Sequence, residues 1–297
     1  MNRLAAATRA QVISCLVDGC SIRATVRITG VCKKAVMRLL VDAGRVCAEY
    51  QDAAFMNLSA RRIQVDECWS WIGCKRANVT PEIKAKNPHA GDVWLWVAID
   101  ADTKLVLSHL VGSRTPPTAY DFMADVAKRI KFEDETRPHA ERRRVQVTTD
   151  GLYWYVDAVD HAFGADVDYA MQKKQFAGAS VDKAASTRYS PGKITSISTE
   201  VIKGSPDPRH ISTSFVERQN WTVRTNMRRY TRLSNGFSRK LENHTAAVAL
   251  NYFVYNFIRI HRTLRMTPAM AAGVTQKLWE VSDLVALLEV AESKKVA

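Results

Sequence analysis

The chain lacks a cysteine framework, a membrane segment and a balance of charge, and each lack narrows what it can be. Its six cysteines (Cys15, Cys20, Cys32, Cys47, Cys68 and Cys74) all fall in the first quarter. None forms a Cys-x-x-Cys pair and no histidine follows at zinc-ligand spacing, which argues against a zinc site and against a disulfide scaffold. Several fall on apolar faces, where a reduced thiol behaves as a small hydrophobe. Met1–Ala10 has no apolar core of signal-peptide length, and no uninterrupted apolar stretch is long enough to span a bilayer. The Asn-x-Ser/Thr matches at Asn57 and Asn243 are therefore read as chance, and the expected location is the cytoplasm. Acids are scarce beside bases: 30 Asp and Glu against 43 Lys and Arg leave a net charge of +13. A solvated basic face is the bland reading of such an excess. Here the bases gather after Glu217, as Arg218, Arg224, Arg228, Arg229, Arg232, Arg239 and Lys240, and that clustering favours a polyanion, nucleic acid foremost.

Against this basic background three acids stand out. Asp66 falls inside the apolar run Ile63–Ile72, Asp150 ends the run Val145–Thr149, and Glu217 opens the arginine-rich stretch Ser214–Trp221. A carboxylate within or at the end of a buried strand is costly unless something cationic lies beside it. Three converging carboxylates make a hard-oxygen site suited to Mg²⁺. Glu67 follows Asp66 directly, so alternation along a strand sends it to the opposite face and makes it the weaker candidate ligand.

The first fifty residues carry helical signals. Thr8 is placed to cap a helix with Val12, Ile13, Leu16 and Val17 on one stripe, and Gly19 to end it. Ser21 opens a second helix with Ile22, Val26 and Ile28 inward. After Thr29-Gly30-Val31 a third runs from Cys32 or Lys33 to Ala43, stopped by Gly44. Short helix, glycine-bearing turn and helix with a basic start form the helix-turn-helix pattern. In it Lys33, Lys34 and Arg38 face DNA while Val36, Leu39 and Leu40 pack inward. A helical bundle that binds nothing, or binds protein, has the same pattern.

From Ile63 the period changes to that of strands. Ile63–Ile72, Asp92–Ile99 and Leu105–Val111 read as three, the last two joined by the turn Asp100-Ala101-Asp102-Thr103. A helix opened by Pro116-Pro117, a strand at Val145–Thr148, a helix at Tyr153–Phe163 and a strand at Val167–Met171 follow. This α/β order matches a ribonuclease-H-like core. That fold sets its first and fourth strands side by side, which would bring Asp66 and Asp150 together. The segment from Lys173 to Ser212, with Ser190-Pro191-Gly192-Lys193 and Gly204-Ser205-Pro206-Asp207-Pro208, is poor in aliphatics and reads as a basic loop insertion that orders on DNA.

Ser212, Thr213 or Ser214 can cap the next helix, whose inward stripe is Val216, Val223, Met227 and Tyr230. Glu217, Trp221, Arg224 and Arg228 share a neighbouring face at i, i+4, i+7 and i+11. A surface Glu among arginines is the alternative. A long apolar helix from about Ser238 to His261 and an amphipathic one at Lys277–Ala291 close the chain. The domains so read are a helix-turn-helix unit (1–48), a connector (49–62), a catalytic domain (63–237, with the insertion at about 173–212) and a helical C-terminal region (238–297).

The strings Val65-Asp66-Glu67-Cys68-Trp69-Ser70-Trp71, Thr149-Asp150-Gly151 and Thr213-Ser214-Phe215-Val216-Glu217-Arg218-Gln219-Asn220 resemble insertion-element DDE transposases of the bacterial IS-one type. So do Arg228-Arg229-Tyr230-Thr231-Arg232-Leu233, followed by Asn235-Gly236-Phe237-Ser238, and, more widely, the tail from Tyr255 to Pro268. The match runs from about Gln11 to Gly273. The resemblance implies a triad of Asp66, Asp150 and Glu217 that holds two Mg²⁺ (or Mn²⁺) ions, cleaves element ends and joins their 3′ hydroxyls to target DNA. It also implies double-stranded terminal repeats and target DNA as partners, a homo-oligomer in the synaptic complex, and a place at the bacterial nucleoid. Arg224 would stabilise charge on the phosphate, and Arg228 would join it in binding DNA. The chain lacks the cysteine-based zinc region of familiar members, so end recognition falls to residues 8–44 and no zinc role is carried over. A non-catalytic DNA-binding regulator and a metal-dependent nuclease without strand transfer are the rival readings.

Overall fold

The computed structural model describes residues 3–132, 144–176, 194–231 and 235–294. Three helices come first: α1 (Ala6–Val17), α2 (Ile22–Thr29) and α3 (Lys33–Ala54). The Ser21 hydroxyl caps α2 by accepting from the Ala24 N–H, and Gly30 ends that helix in the left-handed region at φ 69. Val12, Ile13, Val36, Leu39 and Leu40 are buried as their spacing predicts.

Three details differ from the sequence reading. α1 begins at Ala6, so Thr8 lies inside the helix instead of capping it. Ile28 is 59% exposed, and Thr25 takes the fully buried position on α2. Gly44 does not stop α3, which runs on to Ala54. A Cβ on Gly44 would lie 2.3 Å from the Ala246 carbonyl oxygen, on the C-terminal helix α8 (Leu241–Phe253). The glycine is there for backbone approach between two helices, a role it serves as readily as ending one.

The strands are β1 (Arg62–Ile72), β2 (Gly91–Asp100), β3 (Val106–Gly112), β4 (Val145–Thr149), β5 (Val167–Phe176) and β6 (Ile194–Lys203). They form one mixed sheet in the order β3-β2-β1-β4-β5-β6. β2 runs antiparallel to both β3 and β1, β1, β4 and β5 are mutually parallel, and β6 returns antiparallel. The first and fourth strands are therefore neighbours. The β2–β3 turn is held by Asp100, which accepts from the Asp102 N–H at 3.0 Å and the Thr103 hydroxyl at 2.6 Å.

Helices cover both faces, making an α/β layer structure. On one side Trp96 packs against Phe122 of α5 (Pro116–Arg129) and Tyr155 of α6 (Trp154–Phe163). On the other lies α7 (Ser214–Asn226), whose first N–H groups at Phe215 and Val216 are capped by the Gln64 side-chain oxygen from β1. The expected stripe of Val216, Val223, Met227 and Tyr230 is buried. A short helix α4 (Pro81–Lys86), capped by Thr80, sits between β1 and β2.

The segment 173–212 is not simply a loop. β5 continues to Phe176 and pairs with β6, whose run Ile194-Thr195-Ser196-Ile197-Ser198-Thr199 is rich in β-branched residues. Such residues favour the pleated backbone even at an exposed sheet edge, where little apolar burial is available. Residues 177–193, with Ser190–Lys193, lie outside the described residues, as does Arg232.

At the C-terminus α8 begins at Leu241 and passes into a π-helical turn at Val254–Ile258. α9 (Pro268–Ala271) and α10 (Val281–Lys294) follow. The last helix starts later than its amphipathic pattern suggests, because the Asp283 carboxylate holds the Glu280 N–H just before it. A single apolar cluster runs from Val12 through the sheet to Leu288. Among the described residues no helix is long and apolar enough to cross a membrane.

Candidate metal and catalytic centre

β4 stops at Thr149, opposite Val65, whereas β1 continues to Ile72. Beyond that last rung the β4-side edge of β1 has no strand partner until Ile72 bridges Ser238, among the described residues. Asp150, the first residue after β4, stands at this step in the sheet. Asp66 points to the α7 face, where its Oδ2 accepts from Asn220 Nδ2 at 2.9 Å. Glu67 points to the α5–α6 face, where Tyr155 donates its hydroxyl and Arg114 its guanidinium, at 3.2 Å. The two side chains leave opposite faces, as alternation requires, yet both reach Asp150. One carboxylate oxygen from each of Asp66, Glu67 and Asp150 lies within 4.8 Å of the others. Glu67, the weaker candidate by strand alternation, is thus a member of the cluster, and the reason is the shortness of β4.

Glu217 lies on α7, on the same side of the sheet as Asp66. It is held by the Thr213 hydroxyl at 2.6 Å and by Lys174 of β5. It is not among the three oxygens within 4.8 Å of one another, though its charge acts on both Asp66 and Asp150. Thr213 stands at the start of α7 as predicted, but its hydroxyl spends itself on Glu217 instead of on a free N–H.

The electrostatics are those of a site short of positive charge. Burial, then the charge of Asp150, pushes the Asp66 carboxyl up to about 7. Burial and Asp150 likewise push Glu67 up to about 8, against the opposing pull of Tyr155 and Arg114. Burial raises Asp150 as well. The buried Asn220 side-chain oxygen, beside Asp66, has no hydrogen-bond partner. Hard oxygen donors held together, their pKa values raised for want of a counter-charge, are the donor set of a divalent cation such as Mg²⁺. The residues present fit such an ion.

The basic residues predicted to touch DNA lie elsewhere. Lys33, Lys34 and Arg38 are exposed at the start of α3, where they line a cavity of about 620 Å³ with Lys240 and Asn243 of the C-terminal region. Arg228 does not share a helix face with Glu217, because α7 ends at Asn226 and Arg228 starts a separate single turn, Arg228–Tyr230. It lines, together with Lys33, a larger cleft of about 870 Å³. Arg224 remains on α7, with a buried Nε that has no hydrogen-bond partner.

Four residues of the centre escaped sequence reasoning: Arg114, Tyr155, Lys174 and Asn220. Asn220 was within reach, since it lies three residues after Glu217 and hence on its helix face. The other three come from separate elements and carry no local pattern that points to the acids. No protein-family model matches the chain, and no curated protein matches it. Among solved structures the chain is similar to a piggyBac transposase in a synaptic complex with hairpin DNA, at 10% identity and a TM-score of 0.38, over 98% of this chain and 72% of that one.

Proposed function

We propose that the chain is a DDE-type DNA transposase of the IS-one-like kind, built on a ribonuclease-H-like core, with Asp66, Asp150 and Glu217 as its catalytic carboxylates. The observation that carries this reading is the meeting of Asp66, Glu67 and Asp150 where β4 stops short of β1. The strand order β3-β2-β1-β4-β5 and the approach of Glu217 from α7 add support.

Asp66, Glu67, Asp150 and Glu217 are the residues that would hold divalent metal, Mg²⁺ or Mn²⁺. When bound, such an ion polarises a phosphodiester and offsets charge on the attacking and leaving oxygens. The chain's own groups prepare the site. Asn220 orients Asp66, Tyr155 and Arg114 orient Glu67, and Thr213 with Lys174 orients Glu217. Arg224, two helical turns beyond Glu217, would bring its guanidinium to a phosphate oxygen. Lys33, Lys34 and Arg38 meet the DNA backbone or major groove from α3 as a helix-turn-helix would, and Arg228 extends that contact across the shared cleft. Work on two element ends at once calls for a homo-oligomer.

The test supplies purified protein with DNA that carries the element's own ends, then with a pre-cut 3′ end and a target duplex. Joining that needs Mg²⁺ or Mn²⁺ supports the transposase. Cutting without joining reduces the protein to a nuclease, and binding without either makes it a regulator.

A further inference from the structure

On the α5–α6 face of β1, Glu67 is followed at alternate positions by Trp69 and Trp71. Two strand residues span about 7 Å, so Trp69 stands one step from the acid cluster. The two rings lie 5.1 Å apart, and Trp71 rests in turn on Phe237 at 6.1 Å. Trp71 is buried while Trp69 is half-exposed, so the outer ring is braced by the inner one. Across the strand pair Trp69 faces Trp94. The Arg114 guanidinium that binds Glu67 lies over Trp94, 4.8 Å from its centroid. On the other side the exposed Lys75 ammonium lies 5.9 Å from the Trp69 ring and 5.2 Å from the Trp71 ring. Arg114 and Trp94 thus lie beside the acids, with Trp69 opposite Trp94 in the register and Lys75 near its ring.

Half-exposed aromatics flanked by cations suit a nucleobase, whose ring stacks while its phosphates meet the positive charge. Every base has a π face, whereas a paired base in a duplex keeps both faces against its neighbours. We infer that Trp69, braced by Trp71, with Lys75 near its ring and Arg114 over the facing Trp94, is a stacking platform for one unpaired nucleotide of the DNA beside the acid cluster. The inference rests on the proposed function and names the form of DNA that the site takes: a duplex frayed or flipped open by at least one base next to the reacting phosphate.

The experiment compares two duplexes of one sequence in chelator, so that no cleavage occurs. One is fully paired, and the other carries 2-aminopurine in a short unpaired end. The wild-type chain is expected to bind the unpaired end about tenfold more tightly than the paired duplex, a ratio typical of one stacked base, and to quench the 2-aminopurine. Trp69→Ala should bring the ratio to about one and abolish quenching. Trp69→Phe should retain most of both, because it keeps an aromatic face. Lys75→Gln, at an exposed site that does not threaten the fold, should cut the ratio by about threefold. Equal ratios in the wild type and a folded Trp69→Ala would overturn the platform and leave the proposed function standing. Failure of the wild type to bind either duplex would overturn both.

Discussion

The two ends of the β-sheet are made from the same residue types and have opposite electrostatics. Where the parallel strands begin, acids and bases come in matched sets: Arg62 with Asp102, Arg144 with Asp168 at 3.4 Å, and Arg209 with Asp207 at 2.7 Å. There the Arg209 hydrogen bonds pull Asp207 down to about 2. Where β1 outruns β4, burial and mutual repulsion push Asp66 up to about 7 and Glu67 up to about 8. Arg114, against Glu67, is the cation paired there with an acid of the 4.8 Å cluster among the described ion pairs. Gathering desolvated like charge lowers stability, so an end left short of cations is one built to receive them. The paired end needs nothing further.

The largest expected effect separates the two ends by activity. Asp150→Asn should reduce metal-dependent cleavage of cognate DNA ends to background, while Asp168→Asn at the paired end leaves cleavage measurable. A cleaving Asp150→Asn would remove the distinction. Next in size, Asn220→Ala should weaken Mn²⁺ binding by about 10–100-fold in calorimetric titration, as loss of a ligand's companion does, and Glu67→Gln, which removes a ligand, by at least as much. Full affinity in Glu67→Gln would return that residue to the place alternation alone assigns it.

A third effect sharpens the contrast by isolating the basic face. Lys33→Ala combined with Lys34→Ala should lower the salt dependence of duplex binding, reducing the slope of log K against log salt by about 1.8, or about 0.9 per lost phosphate contact. An unchanged slope would place the DNA off α3. The smallest effect is one of sign. In metal-free protein, Asp150→Asn should raise Tm by a few degrees, through relief of the repulsion that Asp150 exerts on Asp66 and Glu67. Asp168→Asn should lower Tm, because it removes the partner of Arg144. Shifts in the same direction would erase the electrostatic difference between the ends.

Much of the sheet was legible in the sequence because its signals are local. Runs such as Ile63–Ile72 and the Asp100–Thr103 turn carry their own geometry, and β1, β2 and β3 fall within a residue of the expected bounds. Gly44 was misread because the same residue type marks a helix end and a close crossing, and what distinguishes them is Ala246, some two hundred positions away. β6 was missed because an edge strand buries little, so hydrophobic pattern is a poor guide to it. In the centre, Asp66 and Asp150 could be paired through the expected strand order. Glu67 could not, since its membership depends on where β4 stops relative to β1, a relation between two strands that neither carries alone. Arg114, Tyr155 and Lys174 depend on tertiary packing in the same way.

The most direct measurement is a crystal of the purified chain soaked in Mn²⁺, with the ion located by its anomalous scattering. Density is expected among the carboxylates of Asp66, Glu67 and Asp150, on the side of Glu217, and none among Asp102, Asp168 and Asp207. Strong density at the arginine-paired end with an empty step between β1 and β4, at saturating Mn²⁺ and neutral pH, would contradict that placement.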